Sequence, residues 1–331
     1  MTVSPATVLL ATRNRASTLE RVLGEYCRLK PPPGGWDVIV VDNGSLDETK
    51  YVVESFRGRI PISYRFESTP GKNRALNTGL ASATGDLVVF TDDDILPRED
   101  WLLELCAAAD SYESASIFAG IIIPRWEVDP PEWILRGVPA GVCFGIHSAA
   151  VREGPAHPSI AFGGNVAIRA DVFRRGYRFN PTVGPQPTRY TMGGEAELIR
   201  RLVRDGHDVR CCTRAVAEHL IPASHLSLNR ILERAVRWGR SQHFFGLASA
   251  EGMPNWRGVP RWVFRAAVRE SWVATQAWLA GDHASLLRAR WELHCLYGIA
   301  AEARSTRHAA RGGQSTLAAP DAAPGIEAGP G

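Results

Sequence analysis

Four short apolar runs, most of them stopping at a polar cluster and separated by helix-like stretches, constrain this chain more than any other feature. Thr7-Val8-Leu9-Leu10-Ala11 ends at Thr12-Arg13-Asn14-Arg15, and Val38-Ile39-Val40-Val41 ends at Asp42-Asn43-Gly44-Ser45. A strand around Ile62–Phe66 and the run Leu87-Val88-Val89-Phe90 follow. Continuous apolar strands alternating with helices imply an α/β fold with a mostly parallel sheet covered on both faces. Such sheets bind ligands beyond the carboxyl ends of their strands, which is where these polar clusters fall.

Ser17 has the character of an N-cap for a helix to about Leu29, with Leu19, Val22, Leu23 and Tyr26 on one face. Pro31 to Gly35 breaks it, a second helix starts near Asp47, and Lys72 to Ala83 reads as a third. Residues 1–115 thus form one α/β half. The segment 116–225 is less regular, and its Pro/Trp/Gly-rich passage from Trp126 to Pro158 is of the kind that covers a site. Residues 226–305 carry helical periodicity, and the Ala/Pro/Gly-rich remainder, 306–331, is expected to be a disordered tail.

Composition excludes more than it selects. The net charge of +3 is too small to argue for nucleic acid. Lys30, Lys50 and Lys72 are the only lysines among 38 basic residues, so arginine dominates. That bias fits anion recognition by guanidinium forks or a codon-biased genome equally in kind, and only individually placed arginines carry weight. The six cysteines show no zinc-like spacing and read as reduced thiols of a cytosolic protein. Met1 to Ala11 lacks the basic start of a signal peptide, and no apolar run nears the ~20 residues that span a bilayer. A soluble or peripheral protein, cytoplasmic or at the inner membrane face, is the expectation.

Phe90-Thr91-Asp92-Asp93-Asp94 places three carboxylates directly after a hydrophobic strand. Like charges so close repel and cannot be buried unpaired. Hard divalent cations such as Mg²⁺ or Mn²⁺ take one or two carboxylates plus substrate phosphates. A solvated acidic turn is the alternative.

Taken together, four segments resemble the family 2 glycosyltransferases of the GT-A fold. Thr12-Arg13-Asn14-Arg15 is similar to the family's first nucleotide loop and Val40 to Ser45 to its second, where the resemblance gives Asp42 to the base. Gly71-Lys72-Asn73-Arg74-Ala75-Leu76-Asn77-Thr78-Gly79 matches the family's G-K-x-x-A-L-N-x-G segment, and Asp92-Asp93-Asp94 falls at its D-x-D. The resemblance covers about residues 5–240 and implies a donor site of Thr12, Arg13, Asn14, Arg15, Asp42, Lys72, Arg74, Asp92 and Asp93. It implies metal coordination by Asp94, with Asp92 in the ribose or metal shell. Lys72 and Arg74 open a helix, whose positive end suits a diphosphate; a solvated helix face is the other reading.

Phe162-Gly163-Gly164-Asn165-Val166-Ala167-Ile168-Arg169 resembles the family strand G-x-N-x-A-x-R, which adds Gly164 and Asn165 to the sugar-nucleotide set. Its glycines suit a close approach of backbone to the sugar, or a strand-edge bulge. Met192-Gly193-Gly194-Glu195-Ala196-Glu197 resembles the acidic motif that supplies the catalytic base, here Glu195. The usual first acid is replaced by Gly194, which leaves Glu197 as a rival. His219 matches a position near the metal, where a neutral imidazole suits Mn²⁺ better than Mg²⁺.

Six of the ten tryptophans lie after residue 237, interleaved with Arg261, Arg265 and Arg269. Such helices either pack on the transferase core or lie on an anionic membrane, which would suit a lipid-linked acceptor. The expected function is metal-dependent, inverting transfer of a sugar from a nucleotide diphosphate donor to a hydroxyl of a glycan, a lipid-linked molecule or a small molecule. A non-catalytic sugar-nucleotide or glycan-binding relative and a nucleotidyltransferase are the alternatives, the latter weakened because Thr12–Ser17 contains no glycine.

Overall fold

The apolar runs become strands in the computed structural model, which describes residues 5–185, 190–246, 248 and 254–314, with side chains to residue 305. In the first half β1 (Ala6–Thr12), α1 (Ala16–Tyr26), β2 (Trp36–Asp42), α2 (Thr49–Ser55), β3 (Ile62–Phe66), α3 (Lys72–Leu80) and β4 (Leu87–Asp92) alternate. There follow β5 (Ile95–Pro97), α4 (Trp101–Ser111), β6 (Ile117–Trp126), the short helices α5 (Glu132–Gly137) and α6 (Ala140–Phe144), and the two-residue β7 (Gly154–Pro155). Next come β8 (Asn165–Arg169), α7 (Ala170–Arg174), the short pair β9 (Gly184–Pro185) and β10 (Tyr190–Thr191), α8 (Gly194–Arg204) and the long β11 (Val209–Ile221). The C-terminal region holds α9 (Leu228–Phe244), a hairpin of β12 (Asn255–Trp256) and β13 (Val259–Pro260), α10 (Arg261–Ala280) and α11 (His283–Gln314). Helix α11 therefore runs on past residue 305, where a tail was expected; residues 315–331 lie outside those described.

Among the described residues the main sheet has nine strands in the order β3-β2-β1-β4-β8-β6-β11-β5, with β7 on β11. The β3-β2-β1-β4 half is parallel, whereas β8 runs antiparallel between β4 and β6. Strand residues alternate between two cores because successive side chains point to opposite faces. Val8, Leu10, Val38 and Val40 join one core with α1 and Trp101. Leu9, Ile39, Val41 and Phe90 join the other with α3 and α8. Burial on both faces explains the unbroken apolar runs. Helix α1 buries Leu19, Val22, Leu23 and Tyr26 as expected, but it begins at Ala16 rather than behind a Ser17 cap. Its first turn is capped from across the sheet by Asp47, whose carboxylate accepts from the Ala16 N–H at 2.9 Å. The register sets the site: Thr12 pairs with Asp42 and Ala11 with Asp92, so three polar clusters share one edge.

Candidate active site

The acidic run leaves β4 as a tight turn into β5, and two cations clamp it. On one side the Lys72 ammonium lies 2.6 Å from Asp92 Oδ1 and 2.6 Å from Glu195 Oε1. On the other, Arg15 Nη1 donates to Asp93 Oδ1 at 3.0 Å and to Asp94 Oδ2 at 2.7 Å. The Thr12 hydroxyl donates to Asp93 Oδ2 at 2.7 Å. Burial alone would lower the Lys72 pKa, but the Asp92 and Glu195 carboxylates overcome it and hold the ammonium charged. Burial would likewise raise Glu195, yet Lys72 keeps it below the usual carboxylate range. Burial and the repulsion of Asp94 push Asp93 up to about 6. Burial also opposes ionisation of Asp94, but His219 and Arg15 hold it well below its ordinary value.

His219 is fixed from behind. Its Nδ1–H donates to the Phe144 carbonyl at 2.7 Å, and its Nε2 faces Asp94 Oδ2 at 3.8 Å, too far for a hydrogen bond. Burial would lower the His219 pKa, and Asp94 reverses this. A field that favours a proton between two such groups also favours a cation. A ligating imidazole usually has its second nitrogen tied to a carbonyl in this way. Among the described residues no three His, Cys, Asp or Glu side chains form a closed metal cage. An open pair of ligands is what a metal completed by substrate phosphates requires, so Asp94 and His219 fit that role.

The acidic run and its two clamping cations border a cleft of about 390 Å³ lined by Ala11, Thr12, Arg13, Arg15, Asn43, Pro70, Gly71, Lys72, Asp92, Asp93, Asp94 and Pro185. Glu195 sits one ion pair behind Lys72. Arg74 is exposed in the first turn of α3. Asn14, by contrast, ties loops together: it adopts φ +53°, its N–H donates to Ser45 Oγ, and its side-chain oxygen accepts from the Leu46 N–H. Asp42 is buried, accepting from the Ser45 N–H at 2.8 Å and the Tyr64 hydroxyl at 2.9 Å.

Two expected donor contacts, Gly164 and Asn165, lie away from the residues that line the cleft. Gly164 is buried, and a side chain there would press on Ile95 and Ile122 rather than on the cleft. Asn165 is fully buried: its Oδ1 accepts from Trp101 Nε1, and its Nδ2 donates to the Ile121 and Ala215 carbonyls. Those carbonyls are freed where β11 bulges between Cys212 and Val216. The neighbouring glycine has a different task. A Cβ at Gly163 would stand 2.3 Å from Glu195 Cδ, so the close approach is by the carboxylate of this chain. Gly163→Ala should therefore displace that carboxylate and lower turnover about a hundredfold. An unchanged turnover in a normally melting variant would show that the Glu195 position does not matter.

Gly194 is explained in the same manner. A Cβ there would lie 2.5 Å from the amide of Asn73, which is buried and donates to the Asn180 carbonyl at 2.7 Å. Asn73 fills the space in which a first acid would need to stand. Asn43, Gly71 and Pro185 were not singled out from the sequence as donor contacts. Asn43 belongs to the loop after β2 and Gly71 to the segment that opens α3, and Asn43 bridges the Glu67 and Thr69 carbonyls to the Gly71 N–H. Pro185 had no local signal, because only chain folding brings its loop to the cleft.

A mixed sheet with this strand order, and a carboxylate cluster at the end of its fourth strand, define a GT-A glycosyltransferase. The sequence model of glycosyl transferase family 2 matches residues 7–176, and the chain belongs to that family. Glycosyltransferase AglE of Haloferax volcanii is 24% identical over 238 residues, 71% of this chain and 72% of its own length. The pre-mycofactocin glycosyltransferase of Mycobacterium tuberculosis is 37% identical over 218 residues, 64% of this chain and 42% of that protein. Validoxylamine A glucosyltransferase of Streptomyces hygroscopicus subsp. limoneus is 32% identical over 115 residues, and this chain spans only 25% of its length. Among solved structures, mannosyltransferase PcManGT from Pyrobaculum calidifontis, in complex with GDP-Man and Mn²⁺, aligns with TM-score 0.55 at 20% identity, covering 95% of this chain and 81% of that one. S. aureus TarS 1–349 in complex with UDP-GlcNAc gives 0.53 at 14%, covering 92% of each.

Proposed function

We propose that this glycosyltransferase inverts the anomeric centre of a nucleoside diphosphate sugar by direct, in-line attack of an acceptor hydroxyl. The observation that carries the reading is Lys72, which joins the acidic cluster at Asp92 to the carboxylate of Glu195. Donor anchoring and proton removal then occupy one cleft. Residues 1–115 supply the nucleotide half, and 116–225 supply Glu195 and His219 for the acceptor half. Arg13, Arg15 and Lys72 offer positive charge to the diphosphate, with Arg74 at the rim. Glu195, kept ionised by Lys72, takes the hydroxyl proton, a contribution of about 10²–10⁴-fold. Asp94 and His219, with Asp92 beside them, would hold Mn²⁺ or Mg²⁺, which neutralises the departing diphosphate. The acceptor is a hydroxyl of a glycan, a lipid-linked molecule or a small molecule, and a peripheral contact of the C-terminal helices with the inner membrane face fits a lipid-linked one. No described helix is long and apolar enough to cross a membrane.

Thermal-shift screening against uridine, guanosine and thymidine diphosphate sugars with each metal tests the reading. A ligand at a hundred times its Kd stabilises by about 2.7 kcal/mol. Asp94→Ala should lose the metal-dependent part of that shift and most turnover. Chelator-resistant turnover would exclude the metal, and the absence of any nucleotide-sugar shift would sink the proposal. Slow release of free sugar without acceptor supports a transferase. Pyrophosphate release, or saturable binding with no turnover, would transfer the site to the nucleotidyl or non-catalytic alternatives.

A further inference from the structure

Helix α10 takes no part in the cleft, and its outward side carries several large exposed apolar residues. Only Val263 and Ala277 of its twenty residues are buried. Val268 is 73% exposed, Trp272 64% and Leu279 72%. Spacings of 4, 3, 4 and 7 put Arg261, Arg265, Val268, Trp272 and Leu279 on one face. Trp278 lies on one flank of this stripe and Trp262 on the other, both exposed. The preceding hairpin adds Trp256, which is 55% exposed, packs edge-on against Phe264 and carries the Arg257 guanidinium over its ring. Scattered apolar residues on a surface are ordinary, but an aligned set of this size marks an interaction site.

We propose that the outward face of α10, with the Trp256 hairpin beside it, seats the protein on a bilayer surface containing anionic phospholipid. Charge selects that occupant. The sole acid of α10 is Glu270, which pairs with Arg269 at 2.9 Å, has a side chain only 13% exposed and adds to the upward shift of Glu292 on α11, where burial is the larger cause. Among the described residues Arg257, Arg261 and Arg265 are left facing solvent with no acid on their own helix or hairpin face. In a two-fold pair each residue meets a different residue of its partner, and because the described face of α10 and its hairpin carries no acid, a second copy would offer these arginines no carboxylate there. Lipid phosphates instead pair with each of them. Arginine stems carry their guanidinium groups out past such exposed tryptophans, and indole rings favour the headgroup level. A helix that packs an apolar seam of Val263, Phe264, Ala266 and Ala267 on α11 and carries a Trp/Val/Leu/Arg stripe outward lies on a membrane rather than through it.

The test is sedimentation of the full chain with vesicles, read without donor or turnover, so that it stands or falls separately from the transferase reading. The protein should pellet with phosphatidylcholine vesicles containing about 30% phosphatidylglycerol, stay in solution with pure phosphatidylcholine, and be released by about 0.5 M salt. Arg261→Gln with Arg265→Gln should weaken binding about thirtyfold. Trp272→Ser with Leu279→Ser should weaken it at least about tenfold while donor hydrolysis and the melting temperature stay unchanged. Failure of the folded chain to pellet at low salt, or undiminished binding by both variants, overturns the proposal. A dimer in light scattering that Trp272→Ser dissolves would assign the face to a second copy instead.

Discussion

Glu195→Gln should lower transfer about 10²–10⁴-fold while nucleotide-sugar affinity stays within about twofold of the parent. The substitution keeps the shape of the side chain and an oxygen for the Lys72 ammonium, which sits 2.6 Å from Oε1. It removes the charge and with it the proton acceptor. The donor anchors proposed above, Asp92, Asp94 and Arg15, are left in place, so the loss should fall on kcat and not on KM. Steady-state turnover with a titrated donor checks this. An unchanged kcat would remove Glu195 from the reaction. Glu197 is a poor substitute, because Arg201 one turn later holds both of its oxygens, at 2.7 and 3.0 Å. The two acids, two residues apart and open as alternatives in the sequence, have different partners, Lys72 for Glu195 and Arg201 for Glu197, because residues at i and i+2 do not share a helix face.

Asn165→Ala should destabilise the fold by about 3–5 kcal/mol, because three buried groups lose their partners at once. The Trp101 indole N–H and the Ile121 and Ala215 carbonyls have Asn165 as their hydrogen-bond partner inside the sheet. Gly120 makes room for the amide, since a Cβ there would lie 2.4 Å from it. A urea titration should show the midpoint fall at unchanged slope, and nucleotide-sugar affinity at low temperature should remain close to that of the parent. A loss of donor affinity with unaltered stability would return Asn165 to the donor site that its motif suggested.

The buried setting of Asn165 shows how a motif and the contacts of its residues are separate matters. The run Gly163-Gly164-Asn165 was legible as important, but not as to why. Sequence spacing carries no information about which side of a strand end faces the cleft. Asn165 points into the sheet at the β11 bulge, and only the bulge, created by pairing of residues far apart in the chain, gives it carbonyls to bind. Gly194 illustrates the same limit. As a departure from a family pattern it could mean lost function, whereas the structure shows Asn73 occupying that volume across α3 and α8.

The sequence by itself determined the α/β sheet and the edge at which the polar clusters gather. Strand periodicity and the termination of apolar runs are local properties, and the burial of both sheet faces leaves them few solutions. Its acidic run also required positive charge nearby, since three adjacent carboxylates cannot remain unpaired in a half-buried turn. Which cations answer that demand was decided only in three dimensions. Lys72 reaches Asp92 and Glu195 from α3, Arg15 reaches Asp93 and Asp94 from the first loop, and His219 comes from the far end of β11. Electrostatic partnership depends on distances between residues up to more than a hundred positions apart, and those distances exist only once the chain has folded.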